Sequence, residues 1–207
     1  MDWYIWLEQG RNVSPSSTSL NSLASALRLG KASASHLRAL AKAAGRRPLA
    51  PENVPAALQH MVQGLNQPAY MTGRRWDVLA WNAATDKIFA FGRPPDGGRN
   101  VLINMLTQPD ARRLLGAGWA DEAKRMVAQF RATHDLWASD PAFADLLQRL
   151  QTDSPEFTAW WDAHDIRSVE AGHKLLHLPR LGMQRFEYAS FQANDDLSLK
   201  LMIYTRV

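Results

Sequence analysis

Gly73-Arg74-Arg75-Trp76-Asp77-Val78-Leu79-Ala80-Trp81-Asn82 is the stretch from which the rest of the chain is best read. Gly73 supplies turn chemistry, two arginines follow, and a short apolar run closes on Trp-Asn. The pattern predicts a tight β-hairpin or bent strand, with aromatic rings and cationic donors in one place. Such a combination suits a pocket for a ligand with an apolar body and an anionic or polar head.

Working outward, residues 69–81 read as a strand pair and residues 55–65 as a short helix before it. Residues 45–55 carry Pro48, Pro51 and Pro55 and form the natural boundary. Upstream, residues 1–44 read as short helices. Leu20, Leu23, Ala24, Leu27 and Leu29 recur at near-helical spacing, as do Leu37, Leu40 and Ala41. The Gly-, Pro- and Ser-containing link from Gly10 to Ser17 separates the first two of these helices. Downstream, 82–165 is helical in several segments. Asp140-Pro141 and Ser154-Pro155 each place an N-cap side chain before a proline at the first helical position, where its missing N–H costs nothing. Trp119, Met126, Val127, Phe130 and Trp137 mark one amphipathic helix, and Phe143, Leu146, Leu147 and Leu150 another. After Asp165 the period shortens to that of strands, predicted at Lys174–Leu178, Gln184–Gln192 and Leu197–Thr205, with a turn at Ala193-Asn194-Asp195-Asp196. Strands early, helices in the middle and strands late give an α+β class, an antiparallel sheet covered on one side by helices.

The chain has 207 residues, 46% hydrophobic and 21% charged, a globular balance that argues against global disorder. Cysteine is absent, which removes disulfides, thiolate metal sites and thiol nucleophiles, and fits a reducing cytoplasm. The net charge of +4 is compatible with nucleic acid without being diagnostic of it. No apolar run approaches the roughly 18–20 residues of a membrane span, so no membrane partner is expected. Met1-Asp2-Trp3-Tyr4-Ile5-Trp6 lacks the marks of a signal peptide, and the expected location is the cytoplasm.

Enzyme chemistry finds little support. Gly97-Gly98 stands without a phosphate-binding Lys-Ser/Thr, and there is no Gly-x-Ser-x-Gly elbow. His134-Asp135 and His164-Asp165 are pairs of a kind that dinuclear hydrolases use, but each also reads as the end of an amphipathic helix. His173 and His177 lie about 13 Å apart along a strand, too far for one metal. No enzyme, cofactor or metal is therefore expected.

Two stretches resemble known families. Trp3-Tyr4-Ile5-Trp6-Leu7-Glu8-Gln9-Gly10-Arg11, then Pro15-Ser16 and the leucine-rich 20–29, resemble the end of an Xre-type helix-turn-helix domain. The base-reading half of that domain would precede Met1, so the resemblance implies a DNA reader that is incomplete in this chain. From Asn66 to Asn82, with Arg99-Asn100-Val101-Leu102, Ser154-Pro155-Glu156-Phe157, Trp160, Trp161, His164-Asp165, Tyr188 and Ile203-Tyr204-Thr205, the chain resembles the ligand-binding domain of MmyB-like transcription regulators. The resemblance implies a PAS-like α+β sensor over 66–207, following a helical remnant over 1–44 and a linker with a short helix over 45–65. It also implies a fatty-acid-like ligand, DNA as a partner of the full-length form, and a homodimer.

An acyl chain needs an apolar cavity, and its carboxylate needs a paired donor because an unpaired buried charge is costly. Arg75, Asn82, Arg99 and Asn100 are the candidate head-group donors, with Trp76 and Trp81 as candidate lining. Met71, Met105, Met126 and Met202 are flexible enough to line an adaptable pocket. The plainer readings are core packing for both tryptophans, helix N-caps for both asparagines, and a solvated turn for at least one of Arg74 and Arg75. A ligand-free PAS-like dimerisation or interaction module is the alternative function, and a small enzyme using a histidine and a carboxylate is the third.

Overall fold

The computed structural model describes residues 15–43, 52–92, 99–167, 171–179 and 181–207. The Trp3–Arg11 part of the helix-turn-helix resemblance, most of the proline-rich boundary and Gly97-Gly98 lie outside them.

The last three strands are β3 (Gly172–Leu178), β4 (Gly182–Gln192) and β5 (Lys200–Arg206), and the first two are β1 (Ala69–Thr72) and β2 (Val78–Trp81). They form one antiparallel sheet in the order β2-β1-β5-β4-β3. The class is α+β, as the change of period along the chain predicts. The early and late strands meet at β1–β5, where Tyr70 pairs with Met202 and Thr72 with Lys200.

Alternation then assigns the two faces. Tyr70 of β1, Tyr204 of β5, Phe186 and Tyr188 of β4 and Leu176 of β3 belong to the larger core under the helices. Ala69, Met71 and Leu201 point the other way, into a second core with Val54 and Val62. Val62 sits on α3 (Ala56–Gly64), so the sheet is not covered on one side only: the short helix at 55–65 caps the opposite face of β1, β2 and β5. Beyond it, Leu175, Met183 and Phe191 on β3 and β4 are exposed.

β5 starts three residues later than the alternation suggests. Asp196 accepts from the Ser198 N–H at 2.9 Å through its side chain and from the Leu199 N–H at 3.0 Å through its carbonyl. This turn keeps Leu197 and Ser198 out of the ladder. β3 and β4 begin earlier than expected, at Gly172 and Gly182, because each lengthens the hairpin the other already forms.

The helical layer consists of α4 (Ala83–Phe89), α5 (Val101–Thr107), α6 (Pro109–Leu115), α7 (Trp119–His134), α8 (Pro141–Asp153) and α9 (Pro155–Asp162). Both predicted proline starts are made. Asp140 accepts from the Ala142 N–H at 3.0 Å, and Ser154 from the Phe157 N–H at 3.1 Å. Along α7, Trp119, Ala123, Met126, Val127 and Phe130 form the inward stripe. Phe130, Phe143 and Phe157, one from each of α7, α8 and α9, are wholly buried. Each such side chain contributes roughly 1.5–3 kcal/mol by leaving water.

Two further helices, α1 (Ser17–Ala26) and α2 (Lys31–Ala43), pack on each other ahead of this unit. The buried His36 of α2 meets Asp135 in the turn after α7, with Nε2 and Oδ2 3.1 Å apart. Among the described residues no helix is long and apolar enough to cross a membrane.

Candidate functional site

The hairpin that opens the sheet also shapes one wall of a cavity. Gly73 N–H donates to the Asp77 carbonyl and Trp76 N–H to the Gly73 carbonyl, closing the loop between β1 and β2. Trp76 takes φ +67°, a conformation that bulky residues rarely adopt. Residues 99–101 tie down the far side of this loop: Val78 N–H donates to the Arg99 carbonyl at 2.6 Å and Val101 N–H to the Trp76 carbonyl at 3.0 Å. The indole of Trp76 is thereby turned under the helices, edge-on to Phe130 at 6.0 Å.

Between the helix-side face of the sheet and α4, α5, α6 and α7 lies a cavity of about 700 Å³. That volume falls inside the usual range for small-molecule sites, roughly 300–1,000 Å³. Tyr70, Met202, Tyr204 and Tyr188 form its sheet-side floor. Ile88 and Phe89 of α4, Met105 of α5, Leu114 of α6 and Met126 of α7 form its helical wall. Exposed Lys87, Ala90, Asp110, Arg113 and Pro179 mark where it opens to solvent. On α5, Asn104 Oδ1 is buried without a hydrogen-bond partner, the one such side-chain atom among the described residues. An unmade bond of this kind is costly in a settled core.

The polar groups fall into two sets. At the β3–β4 side, Glu122 of α7 holds two cations: Lys174 Nζ lies 2.7 Å from Oε1, and Arg125 Nε donates to Oε2 at 2.9 Å. Lys174 also donates to the Tyr204 hydroxyl at 3.2 Å and sits 4.7 Å from the Tyr188 ring centroid. Burial alone would raise the Glu122 carboxyl, but the Lys174 ammonium, with Arg125, more than offsets it, and the pKa falls below the ordinary carboxylate value. Burial pushes the Tyr70 and Tyr204 hydroxyls well up, so both stay neutral. The second set is Lys200 at the start of β5. Its ammonium is pulled below the usual lysine value by burial, and among the described residues no carboxylate or other acceptor bonds to it.

Of the residues singled out in the sequence, Trp76 lines the cavity. Arg75 turns away, pairing with Asp77 at 2.5 Å and reaching the Ala142 carbonyl at 3.5 Å. Arg99 donates to the Phe91 carbonyl at 2.7 Å, with its guanidinium over the half-buried Trp81 ring at 4.9 Å. Asn82 caps α4, accepting from the Thr85 and Ala69 N–H groups at 2.9 and 3.2 Å and donating to the carbonyls of Leu65 and Gln67 at 2.9 and 2.7 Å. Asn100 caps α5 and donates to the Arg75 carbonyl at 2.7 Å and to Asp77 at 3.0 Å. Arg75, Asn82, Arg99, Asn100 and Trp81 thus brace the hairpin beside the cavity and are outside its lining. Met105, Met126 and Met202 do line it, whereas Met71 is one residue out of phase with Tyr70 and faces the second core.

The sequence assigned no cavity role to Lys174 or Lys200, and Tyr70, Tyr188 and Tyr204 entered only through the family resemblance. The signal was present in β5, where Lys200, Met202 and Tyr204 alternate with Leu201 and Ile203 and so share one face. The His134-Asp135 pair is structural: the imidazole of His134 is edge-on to Trp161 at 5.0 Å, and Asp135 bridges it to His36. Among the described residues no three His, Asp or Glu side chains come together as a metal site would require.

No curated protein matches the chain. A family model, the MmyB-like transcription regulator ligand binding domain, matches residues 54–206. It takes in α3, the whole sheet and every helix around the cavity, and by this match the chain belongs to the MmyB-like transcription regulators.

Proposed function

We propose that the cavity is the ligand site of a PAS-like sensor that takes a fatty-acid-like amphiphile and reports its presence to a DNA reader. The observation that carries this reading is a cavity of about 700 Å³ walled by aromatic, aliphatic and methionine side chains, with a small number of cations set into it. Apolar walls supply affinity through area removed from water, and the cations supply the pairing an anionic head requires. A filled core with no such space would favour a ligand-free interaction module, and the cavity weighs against it.

The regulatory half of the proposal rests on connectivity. Met126 and Gln129 of α7 line the cavity, and α7 runs directly into His134 and Asp135. Asp135 meets His36 of α2, so one rigid helix links the ligand space to the N-terminal helices. A ligand acts through this link to the extent that it binds one arrangement of α7 more tightly than another. DNA and a second copy of the chain are the partners this reading assigns.

The test is direct. Organic extraction of the purified chain followed by mass spectrometry should recover an acyl carboxylate. Titration with fatty acids should give a saturable change in tryptophan emission, since Trp76 is on the wall. Absence of both a co-purifying lipid and a saturable response overturns the proposal.

A further inference from the structure

Among the described residues that line the cavity, Lys200 is a half-buried cation to which no carboxylate bonds. Among the described residues, Lys87, Arg113, Arg125, Lys174 and Lys200 line it, with Asp110 as the lining carboxylate. Arg113 is spent on Asp110, while Arg125 and Lys174 share the one carboxylate of Glu122 and are both tied to it geometrically. Lys87 is exposed at the mouth, where water screens a pairing to little worth. Lys200 differs in being half-buried with no acceptor bonded to it among the described residues. Burial draws its ammonium below the usual lysine value, and an anion supplied from outside relieves that cost.

The sheet fixes where this group stands. Lys200 pairs with Thr72 of β1, which also lines the cavity, and shares its strand face with Met202 and Tyr204. Tyr204 is four positions further along the strand, so Lys200 lies about 13 Å along the floor from the Glu122–Lys174–Tyr204 cluster. A chain anchored at Lys200 therefore runs over Met202 toward the tyrosines and the methionine-lined helical wall.

We infer that Lys200 is the head-group anchor of this cavity and makes the site selective for singly charged acyl carboxylates over neutral lipids of equal length. The inference rests on the sensor reading and assigns the anchoring to β5 rather than to the arginines of the hairpin region. Lys200 forms a charge-assisted hydrogen bond to the carboxylate, while Lys174 and Arg125 remain engaged with Glu122.

Calorimetric titration of the full chain with dodecanoate, methyl dodecanoate and dodecan-1-ol tests it. The wild type should bind the acid about 10- to 100-fold more tightly than the ester or the alcohol. Lys200→Met should abolish that preference and leave ester affinity within roughly twofold, the retained ester binding serving as the check on folding. Lys200→Arg should keep the preference, which a purely structural role for the aliphatic stem would not predict. Should Lys200→Met not fold, Lys200→Gln carries the same comparison. Undiminished acid binding in the Met or Gln variant overturns the anchor and leaves the sensor reading standing. Failure of all three compounds to bind the wild type overturns both.

Discussion

Asn82→Ala separates a structural hairpin residue from a ligand contact. Asn82 is 4% exposed, and its amide makes bonds in two directions. Oδ1 accepts from Thr85 N–H, the N-cap bond of α4, and from Ala69 N–H, while Nδ2 donates to the carbonyls of Leu65 and Gln67. Loss of an N-cap costs about 1 kcal/mol. Each buried partner left without a bond adds about 1–3 kcal/mol, less where water can replace it. Leu65 is half-buried and Gln67 exposed, so water can serve those carbonyls, whereas Ala69 is fully buried. The sum is about 3 kcal/mol, which in a chain of this size lowers Tm by about 6–12 °C. Urea denaturation and thermal melting measure the loss, and ligand titration of the still-folded fraction accompanies them. The expected pattern is a large stability loss with carboxylate affinity unchanged within about twofold. A loss below about 1 kcal/mol, or weakened ligand binding at full stability, would refute the reasoning and return Asn82 to the ligand site.

Two further outcomes follow from single contacts. The Glu122 carboxyl is depressed in the folded chain, so its contribution is complete above the unfolded value of 4.5 and is lost as pH falls through the lower folded value. Glu122→Gln should be less stable at neutral pH, because Lys174 and Arg125 lose their counter-ion. Its stability should also fall less steeply below about pH 4.5 than that of the wild type; parallel acid titrations would discredit the pairing. At Gly73, an added Cβ would lie 1.7 Å from Glu52 Oε2, and Glu52 accepts from the Arg74 N–H at 2.9 Å. Gly73→Ala must therefore swing that carboxylate away, at about 1–2 kcal/mol by chemical denaturation, and a change under about 0.5 kcal/mol contradicts the contact.

Local chemistry carried much of the fold into the sequence. Asp140-Pro141 and Ser154-Pro155 each hold a cap and a helix start in two adjacent residues, so both starts could be read without a tertiary partner. The same holds for Asn82 and Asn100, whose plainer N-cap reading is what the structure displays. Other features depend on residues far apart in the chain. The β1–β5 pairing joins residues 69–72 to 200–203, and nothing local to either strand states that register. His36 meets Asp135 across 99 positions. The cavity was the least legible feature, because an apolar helical stripe looks the same whether it closes on a sheet or stands off from it. Met126 and Phe130 lie one turn apart on α7, yet only Met126 lines the space. Alternation places Lys200 beside Met202 and Tyr204, but that no acceptor among the described residues bonds to it depends on residues far away in the chain.

Native mass spectrometry of the full chain with dodecanoate, with and without a blocked cavity, tests the central claim most directly. Ala111 lines the cavity on α6 and is only partly buried, so Ala111→Trp projects an indole into the space. The account predicts one bound acid per protomer in the wild type and none, or at least about tenfold weaker binding, in Ala111→Trp with the melting curve preserved. A wild type that binds no acid, or a blocked variant that binds it as well as the wild type, would contradict the assignment of the cavity as the ligand site.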